Sequence, residues 1–373
     1  MTWIFWGSAV TLVYTYVGYL AWLWCRNHWR VLVTASALNT PSLSVVMIVR
    51  NEAAILERKL RNLMELNYPS DLYEVLVVSD NSTDETAGIL SRHAENFPLY
   101  VILSNVSRGK ASGINDAVAA SRGEVIVFTD ARQTIEVNAL SLLVENFADP
   151  SIGCVSGELM LGDPESGEAS MGMGLYWRIE KKIRELESAS GSVVGATGAL
   201  YAIRKNLFVS LPQGTILDDV YIPLNVARQG ARVVFDSRAR AWDLPNQGTA
   251  REFSRKVRTL SGNYQLLQLV PWLLTKANPI RFEFVSHKLL RLIAPLALLL
   301  AFVSSAALTA PIYRVAFVMQ VAFYGLSLLG LTHLTRGGVA RIADAALTFV
   351  VLNTAAVVAF TNFVTGRKPA WTR

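Results

Sequence analysis

Residues 44–49 read SVVMIV, and the polar triplet Arg50-Asn51-Glu52 follows them directly. A short apolar run rich in β-branched residues is typical of a strand buried on both faces of a sheet. Three more runs of this kind follow along the chain: 74–78 (EVLVV), 100–103 (YVIL) and 124–128 (EVIVF). Helical patterns are predicted between them, over 54–66, after Asp84 and over 110–121. This alternation predicts an α/β fold with a mostly parallel, Rossmann-like sheet and helices on both faces.

The edge where the parallel strands end is the part of an α/β sheet at which ligands bind. A dinucleotide-binding domain would carry the pattern GxGxxG after the first strand, and no glycine stands there. Candidate functional residues are therefore sought among the polar side chains that follow the strands.

Two acidic residues stand at predicted strand ends, Asp80 after the second and Asp130 after the fourth. Ser82 and Glu85 have the spacing of a capping box for the next helix, which leaves Asp80 without a structural explanation. Its carboxylate is suited to accept hydrogen bonds from a nucleobase or a ribose. Asp130 either caps its strand or binds a hard divalent cation, since Mg²⁺ is usually held by one or two carboxylates plus substrate phosphates.

Three further charged residues open predicted helices. Lys110 begins the third helix, where it either meets phosphate oxygens or is an ordinary surface charge. Asp218 and Asp219 follow the loop 211–214 and open a later helix. Acidic residues are common in a first helical turn because they interact favourably with the helix dipole. Two adjacent acids at that place can also supply a general base.

Apolar residues are concentrated at the two ends of the chain. Of the 373 residues, 52% are hydrophobic and 17% are charged, against about 25% charged in soluble domains. Residues 2–24 carry no charge and have tryptophans at both ends, as expected of a membrane span of about 20 residues. A cleaved signal peptide is disfavoured, because no basic residue precedes the run and no small-residue cleavage site follows it. Three more spans are predicted over 292–313, 315–332 and 345–365, with a tight turn at Pro311 and Arg314.

Basic residues next to the spans indicate their orientation. Arg26 and Arg30 follow the first span, Lys288 and Arg291 precede the second, and Arg336 and Arg341 follow the third. By the positive-inside rule these loops and the middle region are cytoplasmic. The tail residues Arg367, Lys368 and Arg373 then lie outside, against the rule, which leaves the orientation of the last span open.

Residues 251–274 form a basic amphipathic pattern. One apolar stripe, repeating at spacings of four and three, is predicted to contain Phe253, Val257, Leu260, Tyr264 and Leu267. Arg255 and Arg258 lie three residues apart and share a side. Such a helix beside a membrane usually lies in the interface.

These residues, in this order, resemble a membrane-bound family-2 glycosyltransferase, an inverting enzyme with the A-type glycosyltransferase fold, over about 44–268. The resemblance implies that Asn51 and Glu52 contact the nucleotide and that Asp80 is the uridine-binding acid. Lys110 resembles the family's lysine before the third helix. Asp130-Ala131-Arg132 resembles its metal-binding Asp-x-Asp with only the first acid present, which implies Asp130 as the ligand of Mg²⁺ or Mn²⁺.

The resemblance continues on the acceptor side. Gly198-Ala199-Leu200 resembles the acceptor loop, and Leu217-Asp218-Asp219 resembles the base motif, with Asp219 as the base. Residues 255–259 (RKVRT) resemble the Gln-x-x-Arg-Trp motif, in which Arg258 and the neighbouring Arg255 assist the donor phosphates. Thr259 stands where a tryptophan normally stacks on an acceptor sugar, which favours a lipid-linked or short acceptor.

The implied function is transfer of a sugar from a UDP-sugar to a lipid-linked or saccharide acceptor at the cytoplasmic face of the inner membrane. The product would be a glycolipid or an extracellular polysaccharide. The predicted units are a transmembrane helix (1–25), a cytoplasmic catalytic domain (40–250), amphipathic interfacial helices (251–288) and about three transmembrane helices (289–366). The partners are then the nucleotide sugar, the acceptor and membrane lipids, and the sequence does not identify a partner subunit.

Other classes of protein fit less well. A processive synthase that also translocates its polymer is the alternative within the enzyme class. A transporter with a nucleotide-binding domain would need ionisable groups inside its spans, and the predicted spans carry essentially none. The net charge is +6, but no basic block or nucleic-acid-binding signature occurs, so nucleic acid is not expected as a partner. Cys25 and Cys154 are too few for a disulfide framework or a zinc cluster, which indicates a reducing compartment.

Overall fold

The computed structural model describes residues 1–32, 37, 40–95, 98–163, 175–244, 249–332 and 337–367. Eight strands form one sheet within this part of the chain. They are β1 (Leu43–Val49), β2 (Tyr73–Asp80), β3 (Leu99–Ser104), β4 (Val125–Thr129), β5 (Thr134–Ile135), β6 (Ile152–Leu161), β7 (Leu200–Arg204) and β8 (Arg232–Asp243).

Seven helices accompany the sheet, and four longer ones lie at the two ends of the chain. The helices around the sheet are α2 (Ala53–Met64), α3 (Thr86–Ala94), α4 (Lys110–Ala120), α5 (Ala139–Glu145), α6 (Leu175–Ser190), α7 (Asp218–Arg228) and α8 (Thr249–Leu269). The long helices are α1 (Thr2–Trp29), α9 (Arg281–Ala307), α10 (Pro311–Thr332) and α11 (Gly337–Val364).

The strands are arranged in the order β3-β2-β1-β4-β7-β6-β8-β5. The first four are parallel to one another, so their carboxyl ends meet at one edge. β7 is antiparallel to both β4 and β6, and β6 and β8 are parallel. The prediction of an α/β fold with a mostly parallel sheet is confirmed. The antiparallel β7 had no counterpart in the sequence-based prediction.

Two hydrophobic cores cover the two faces of the sheet. Leu56, Leu60 and Leu63 of α2 pack on one face, and Ile114, Ala117 and Val118 of α4 pack on the other. Burial on both faces explains why the strands read as continuous apolar runs rather than alternating ones. The two cores fix the strand ends, and with them the loops that carry the charged residues.

All four long helices are long and apolar enough to cross a membrane. Their bounds differ from the sequence-based prediction, because helix hydrogen bonding continues past the uncharged runs. Helix α9 begins at Arg281 and ends at Ala307, and Pro311 begins α10, so the turn precedes Arg314 rather than containing it. Arg336, Lys368 and Arg373, which entered the orientation argument, lie outside the described residues.

The end of α1 and the start of α9 meet on α6. Arg26 of α1 donates to Oε1 of Glu283 at 2.5 Å and to the carbonyl of Ser190 at 2.9 Å. Arg291 of α9 forms an ion pair with Glu180 of α6. The charged residues that flank the apolar runs therefore contact the sheet domain, and both helix ends lie on its side.

The apolar stripe of α8 packs on α9 and α11 within the chain. Val257 and Tyr264 are buried in one cluster with Leu292, Ala355 and Ala359. Leu267, predicted in the same stripe, instead packs against the core beneath α4. Helix α8 thus joins the sheet domain to the long helices.

Candidate active site

The loops after β1 and β2 are tied together by hydrogen bonds. The amide of Asn51 donates to Oγ of Ser82 at 3.1 Å, and Oδ1 of Asn51 accepts from the amide of Thr83 at 2.7 Å. Asn51 and Asn81 both have φ of 54°, the left-handed region that asparagine tolerates better than most residues. Asn51 therefore helps to shape the edge of the site.

The predicted capping box of Ser82 and Glu85 is wrong. Helix α3 begins at Thr86, and its first amide donates to Oδ1 of Asp84 at 3.0 Å. The other oxygen of Asp84 accepts from the amide of Ala53 at 3.1 Å, so this side chain caps α3 and also joins it to the start of α2. The backbone turns at Asn81, which moves the helix start beyond the reach of Ser82.

Asp80 is buried at the end of β2 and holds the loop before α4. Its oxygens accept hydrogen bonds from the hydroxyl of Ser107 (2.9 Å) and the amides of Arg108 (2.7 Å) and Gly109 (3.0 Å). Gly109 has φ of 83°, which favours glycine, and it directly precedes Lys110. Asp80 consequently fixes the position from which the Lys110 side chain starts.

Lys110 bridges two of the acidic residues singled out from the sequence. Its Nζ lies 3.0 Å from Oδ1 of Asp130 and 3.1 Å from Oδ2 of Asp218. Burial alone would lower the pKa of Lys110, but the charges of Asp130 and Asp218 raise it above its usual value. The lysine is therefore a fixed positive charge at physiological pH.

Asp218 and Asp219 open α7, as expected from the sequence. Asp218 is buried and faces Lys110, whereas Asp219 is half-buried. Burial and the neighbouring charge of Asp218 raise the pKa of Asp219 to about 6, against the opposing charges of Lys110, Lys288 and Arg184. A carboxylate with this pKa is ionised at neutral pH yet more basic than an ordinary aspartate, as a general base requires.

Gly198 lies directly against Asp219. A Cβ atom on this glycine would be 3.2 Å from Oδ2 and 3.6 Å from Cγ of Asp219. The following residue, Ala199, is buried, and its carbonyl accepts a hydrogen bond from Oγ1 of Thr129 at 3.0 Å. The structure thus brings the predicted acceptor loop to the predicted base.

Asp130 follows β4 and is more exposed than Asp80 or Asp218, with 41% of its side chain accessible. Behind it lies Lys59 of α2, which is 1% exposed. Nζ of Lys59 donates to Oγ1 of Thr129 at 3.0 Å and to the carbonyl of Gln133 at 2.8 Å, one contact on each side of the Asp130 turn. Asn62, one helical turn later, exchanges two hydrogen bonds of 2.8 Å with the backbone of Ile135.

Glu52 is electrostatically coupled to the same turn. Its pKa is raised by partial burial and by the negative charge of Asp130. Arg132, two residues after Asp130, forms an ion pair with Asp243 at the end of β8. The position that would hold the second acid of an Asp-x-Asp pattern is therefore occupied by a cation that is already paired.

The residues present offer few protein ligands for a divalent cation. No group of three or more His, Cys, Asp or Glu suited to a metal occurs among the described residues. Asp130 offers one exposed carboxylate, which matches the Mg²⁺ sites that combine one or two carboxylates with substrate phosphates. A cation held there would depend on the phosphates of a bound nucleotide for most of its ligands.

The residues of α8 stand apart from this cluster. Arg255 and Arg258 are half-buried, and Thr259 is exposed, with its hydroxyl donating to the carbonyl of Arg255 at 3.0 Å. None of the three contributes to the described contacts of Lys110, Asp130 or Asp218.

A later part of α8 contacts the loop that precedes the acidic pair. The side chain of Gln265 bonds to the amide of Ile216 and the carbonyl of Gly214 at 2.9 Å each. A Cβ on Gly262 would lie 2.5 Å from Cγ of Leu217, so only glycine permits this approach. Helix α8 thereby holds the loop that leads into Asp218.

Several of these residues were missed by the sequence-based prediction, although one carried a signal. Lys59 occupies the apolar stripe of α2 together with Leu56, Leu60 and Leu63, at helical spacing. A lysine in such a stripe needs an internal partner. Arg184 and Asp243 carry no local pattern, because their positions depend on which strands and helices become neighbours.

Comparisons with known proteins agree with this arrangement. Residues 44–211 match the family model described as glycosyl transferase family 2. A segment of 162 residues is 25% identical to the beta-monoglucosyldiacylglycerol synthase of Synechocystis sp., covering 43% of this chain and 34% of that protein. A segment of 221 residues is 23% identical to the poly-beta-1,6-N-acetyl-D-glucosamine synthase of Staphylococcus aureus, covering 58% of this chain and 53% of that one.

The chain thus spans about a third and about half of the lengths of these two relatives. Among solved structures, it is similar to a mannosyltransferase from Pyrobaculum calidifontis, determined in complex with GDP-Man and Mn²⁺. The TM-score is 0.73 at 22% identity, and the match covers 96% of this chain and 98% of the other. This likeness shows a common fold of the A-type glycosyltransferase kind. Residues 44–211 of this chain are accordingly a glycosyltransferase family 2 domain, related to glycolipid and polysaccharide synthases.

Proposed function

We propose that the protein transfers a sugar, with inversion, from a UDP-sugar to a lipid-linked or saccharide acceptor at the cytoplasmic face of the cell membrane. The product would be a glycolipid or an extracellular polysaccharide. The observation that carries this proposal is the bridge from Lys110 to Asp130 and Asp218, with Asp219 beside it. It places a fixed cation and a candidate base at the carboxyl edge of the parallel strands, where α/β folds bind ligands.

The donor side is built from the loops after β1, β2 and β4. Lys110 would shift from Asp130 toward the diphosphate and stabilise the negative charge that develops as the nucleotide leaves. Asn51 and Glu52 would contact the nucleotide from the first loop. A uracil ring bonded to Asp80 would have to share its carboxylate with the amides of Arg108 and Gly109.

The proposed chemistry is a single displacement. Asp219 takes the proton from an acceptor hydroxyl while the oxygen of that hydroxyl attacks the anomeric carbon. The bond from this carbon to the diphosphate oxygen breaks, and UDP leaves with the bonding electrons. A positioned general base typically contributes about 10²–10⁴-fold to the rate. Stabilisation of the departing diphosphate is usually the larger effect.

Asp130 would be the protein ligand of Mg²⁺ or Mn²⁺. Such an ion, when bound, neutralises charge on the diphosphate as a Lewis acid. The support from this chain is the accessible carboxylate of Asp130 at the edge of the site. Arg255 and Arg258 would reach the donor only if α8 or the donor moved toward them.

The contacts of α6 support the proposed membrane arrangement. Since Arg26 and Arg291 both contact this helix, the end of α1 and the start of α9 lie at the membrane face that carries the catalytic domain. Basic residues at those positions support a cytoplasmic location for that face. Transfer would then occur where α6, α8 and the long helices meet.

Calorimetric titration of the detergent-purified protein with UDP and with GDP, in the presence of Mn²⁺, tests the donor assignment. UDP should bind more tightly than GDP, Asp130→Ala should weaken UDP binding, and Asp219→Asn should leave it unchanged. Tighter binding of GDP than of UDP would mean that the donor is a GDP-sugar. An equal loss of UDP binding in Asp219→Asn and in Asp130→Ala would contradict the roles assigned to these two residues.

A further inference from the structure

Two half-buried cations beside Asp219 have no carboxylate partner among the described residues. The guanidinium of Arg184, on α6, donates to Oγ1 of Thr197 at 2.5 Å and forms no ion pair there. Lys288, on α9, makes no hydrogen bond or ion pair within 4.0 Å to the part of the chain that the structure describes. Removing a charge from water without a partner is unfavourable. An anionic group supplied from outside the chain would satisfy both.

The nearby carboxylates are already engaged by other groups. Glu180 accepts from Nε2 of His287 at 3.1 Å and pairs with Arg291. Glu187 contacts Nδ1 of His287 at 2.9 Å and accepts from the hydroxyl of Tyr19 at 2.7 Å. Glu180 and Glu187 therefore form their direct contacts with other groups, although their negative charges also act on Lys288 over a longer distance.

Arg184 is tied to the candidate base through Thr197 and Gly198, and the charge of Lys288 acts on the same base. Thr197, which accepts from Arg184, directly precedes Gly198, and Gly198 lies against the carboxylate of Asp219. The positive charges of Lys288 and Arg184 also oppose the rise in the pKa of Asp219. A ligand held by them would lie next to the base, on the side of the long helices.

An apolar groove begins at Pro295, seven residues beyond Lys288 on the same helix. It has a volume of about 480 Å³ and is formed by α9, α10 and α11. Its lining includes Pro295, Leu298, Leu299, Phe302, Tyr324 and Phe349. Arg291, Pro295, Leu298 and Phe302 advance by three or four residues, so they share one face of α9, and Lys288 lies in the π-helical turn just before them.

The depth and lining of the groove suit a hydrocarbon chain. The groove runs along α9 from Pro295 to Phe302, seven residues or about 10 Å at 1.5 Å per residue. The volume is within the range of about 300–1,000 Å³ that ligand pockets occupy. A groove with an apolar lining between membrane-spanning helices excludes water and accepts an acyl chain.

We propose that the acceptor is an anionic lipid whose phosphate binds Arg184 and Lys288, whose chain lies in the groove, and whose free hydroxyl faces Asp219. This inference rests on the proposed glycosyltransferase function and narrows its acceptor. In the transfer, the lipid hydroxyl oxygen bonds to the anomeric carbon and its proton passes to Asp219. The bond from that carbon to the diphosphate breaks, UDP leaves, and the lipid phosphate stays intact.

The test compares two fluorescent lipids with identical chains, phosphatidylglycerol and uncharged diacylglycerol, for binding to the purified full-length protein. Wild type should prefer phosphatidylglycerol by about tenfold or more, the usual effect of charge-assisted hydrogen bonds. Lys288→Gln and Arg184→Gln should each remove most of this preference, and Lys288→Arg should keep it. Arg341→Gln is the matched control, because it removes an exposed cation of α11 outside the groove.

Equal binding of the two lipids by wild type, or an unchanged preference in both glutamine variants, would overturn the inference. Displacement of phosphatidylglycerol by inorganic phosphate at equal concentration would also overturn it, by showing a site for soluble phosphate. UDP binding in the same preparation separates the two proposals. Retained UDP binding without headgroup preference overturns only the acceptor assignment, whereas absent UDP binding overturns the proposed function.

Discussion

Gly198 lies so close to Asp219 that a Cβ atom would sit 3.2 Å from the carboxylate oxygen Oδ2. This is tighter than an ordinary van der Waals contact, and the amide of Ala196 bonds to the carbonyl of Asp219 at 2.7 Å, which limits how far the acid can move away. The candidate acceptor loop and the candidate base therefore form one unit, whose geometry depends on the missing side chain.

Gly198→Ala should lower kcat by up to about a hundredfold, because displacements of about 1 Å can cost that much in a positioned reaction. Donor KM should change little, since Lys110 and Asp130 are untouched. Steady-state kinetics with the preferred donor measure both quantities. Gly7→Ala is the control, because a Cβ there meets no atom within 4 Å. If kcat of Gly198→Ala equals that of the wild type, the position of this loop does not affect the catalytic step.

The pH dependence of turnover should report Asp219. Its pKa is raised to about 6, and the base must be ionised, so kcat should be half-maximal near pH 6, approach its plateau about one pH unit above that, and fall below it. At pH 5 the rate should be about tenfold below the plateau, one pH unit beyond the pKa. Asp219→Asn should abolish turnover across the whole range. A flat profile from pH 5 to pH 7 in the wild type would exclude Asp219 as the base.

Removal of the Lys110 ammonium should weaken donor binding. Lys110→Met leaves Asp130 and the buried Asp218 without their counter-charge, and it removes the cation proposed to meet the diphosphate. We expect an increase of about tenfold to a hundredfold in the Kd for UDP, together with a lower Tm, because an unpaired buried carboxylate is costly. Lys276→Met provides the matched control at an exposed position. Unchanged UDP binding would mean that Lys110 serves the fold alone.

Lys59 does not line the site, but it should affect donor binding by holding the Asp130 turn in place. Lys59→Met removes the two hydrogen bonds that flank the Asp130 turn, so the KM for the donor should rise by about tenfold while the chain stays folded. The exposed Lys182→Met, in which a surface charge is lost, should behave as the wild type. Equal donor KM values in the two variants would show that the turn holds its shape without Lys59.

The stability of the protein should carry a second signature of Lys59. Burial lowers the pKa of this lysine to about 7, against the opposing charge of Asp130. Above pH 7, Lys59 is mostly deprotonated in the folded chain, whereas in the unfolded chain it has its ordinary, higher pKa and stays protonated. Because the unfolded chain then binds more protons, the contribution of Lys59 to the free energy of unfolding rises with pH. Denaturant titrations between pH 7 and pH 9 should show this contribution in the wild type and not in Lys59→Met.

Local patterns predicted the parallel half of the sheet. The runs at 44–49, 74–78 and 100–103 lie within observed strands, and the run at 124–128 does so from residue 125, because burial on both faces leaves a continuous apolar signature. The helix start at Lys110 and the acid pair opening α7 were also predicted, since both follow directly from residues next to one another in the chain.

Contacts between distant segments were beyond the reach of such patterns. The bridge from Lys110 to Asp218 joins residues 108 positions apart, and it forms only because β7 inserts between β4 and β6. The capping box failed for a related reason, since a left-handed turn at Asn81 moved the helix start and gave Ser82 a partner in Asn51. Lys288 and Arg291 were read as charges flanking a span, whereas the structure brings them to α6.

The most direct test of the proposed function is nucleotide release by the purified protein across a panel of UDP-sugars, with Mg²⁺ or Mn²⁺ present. UDP release is expected with one donor, lost on chelation of the metal and in Asp219→Asn, while UDP still binds that variant. Release that is unaffected by Asp219→Asn would contradict the assigned base. An absence of UDP binding and of release with every donor would contradict the glycosyltransferase function itself.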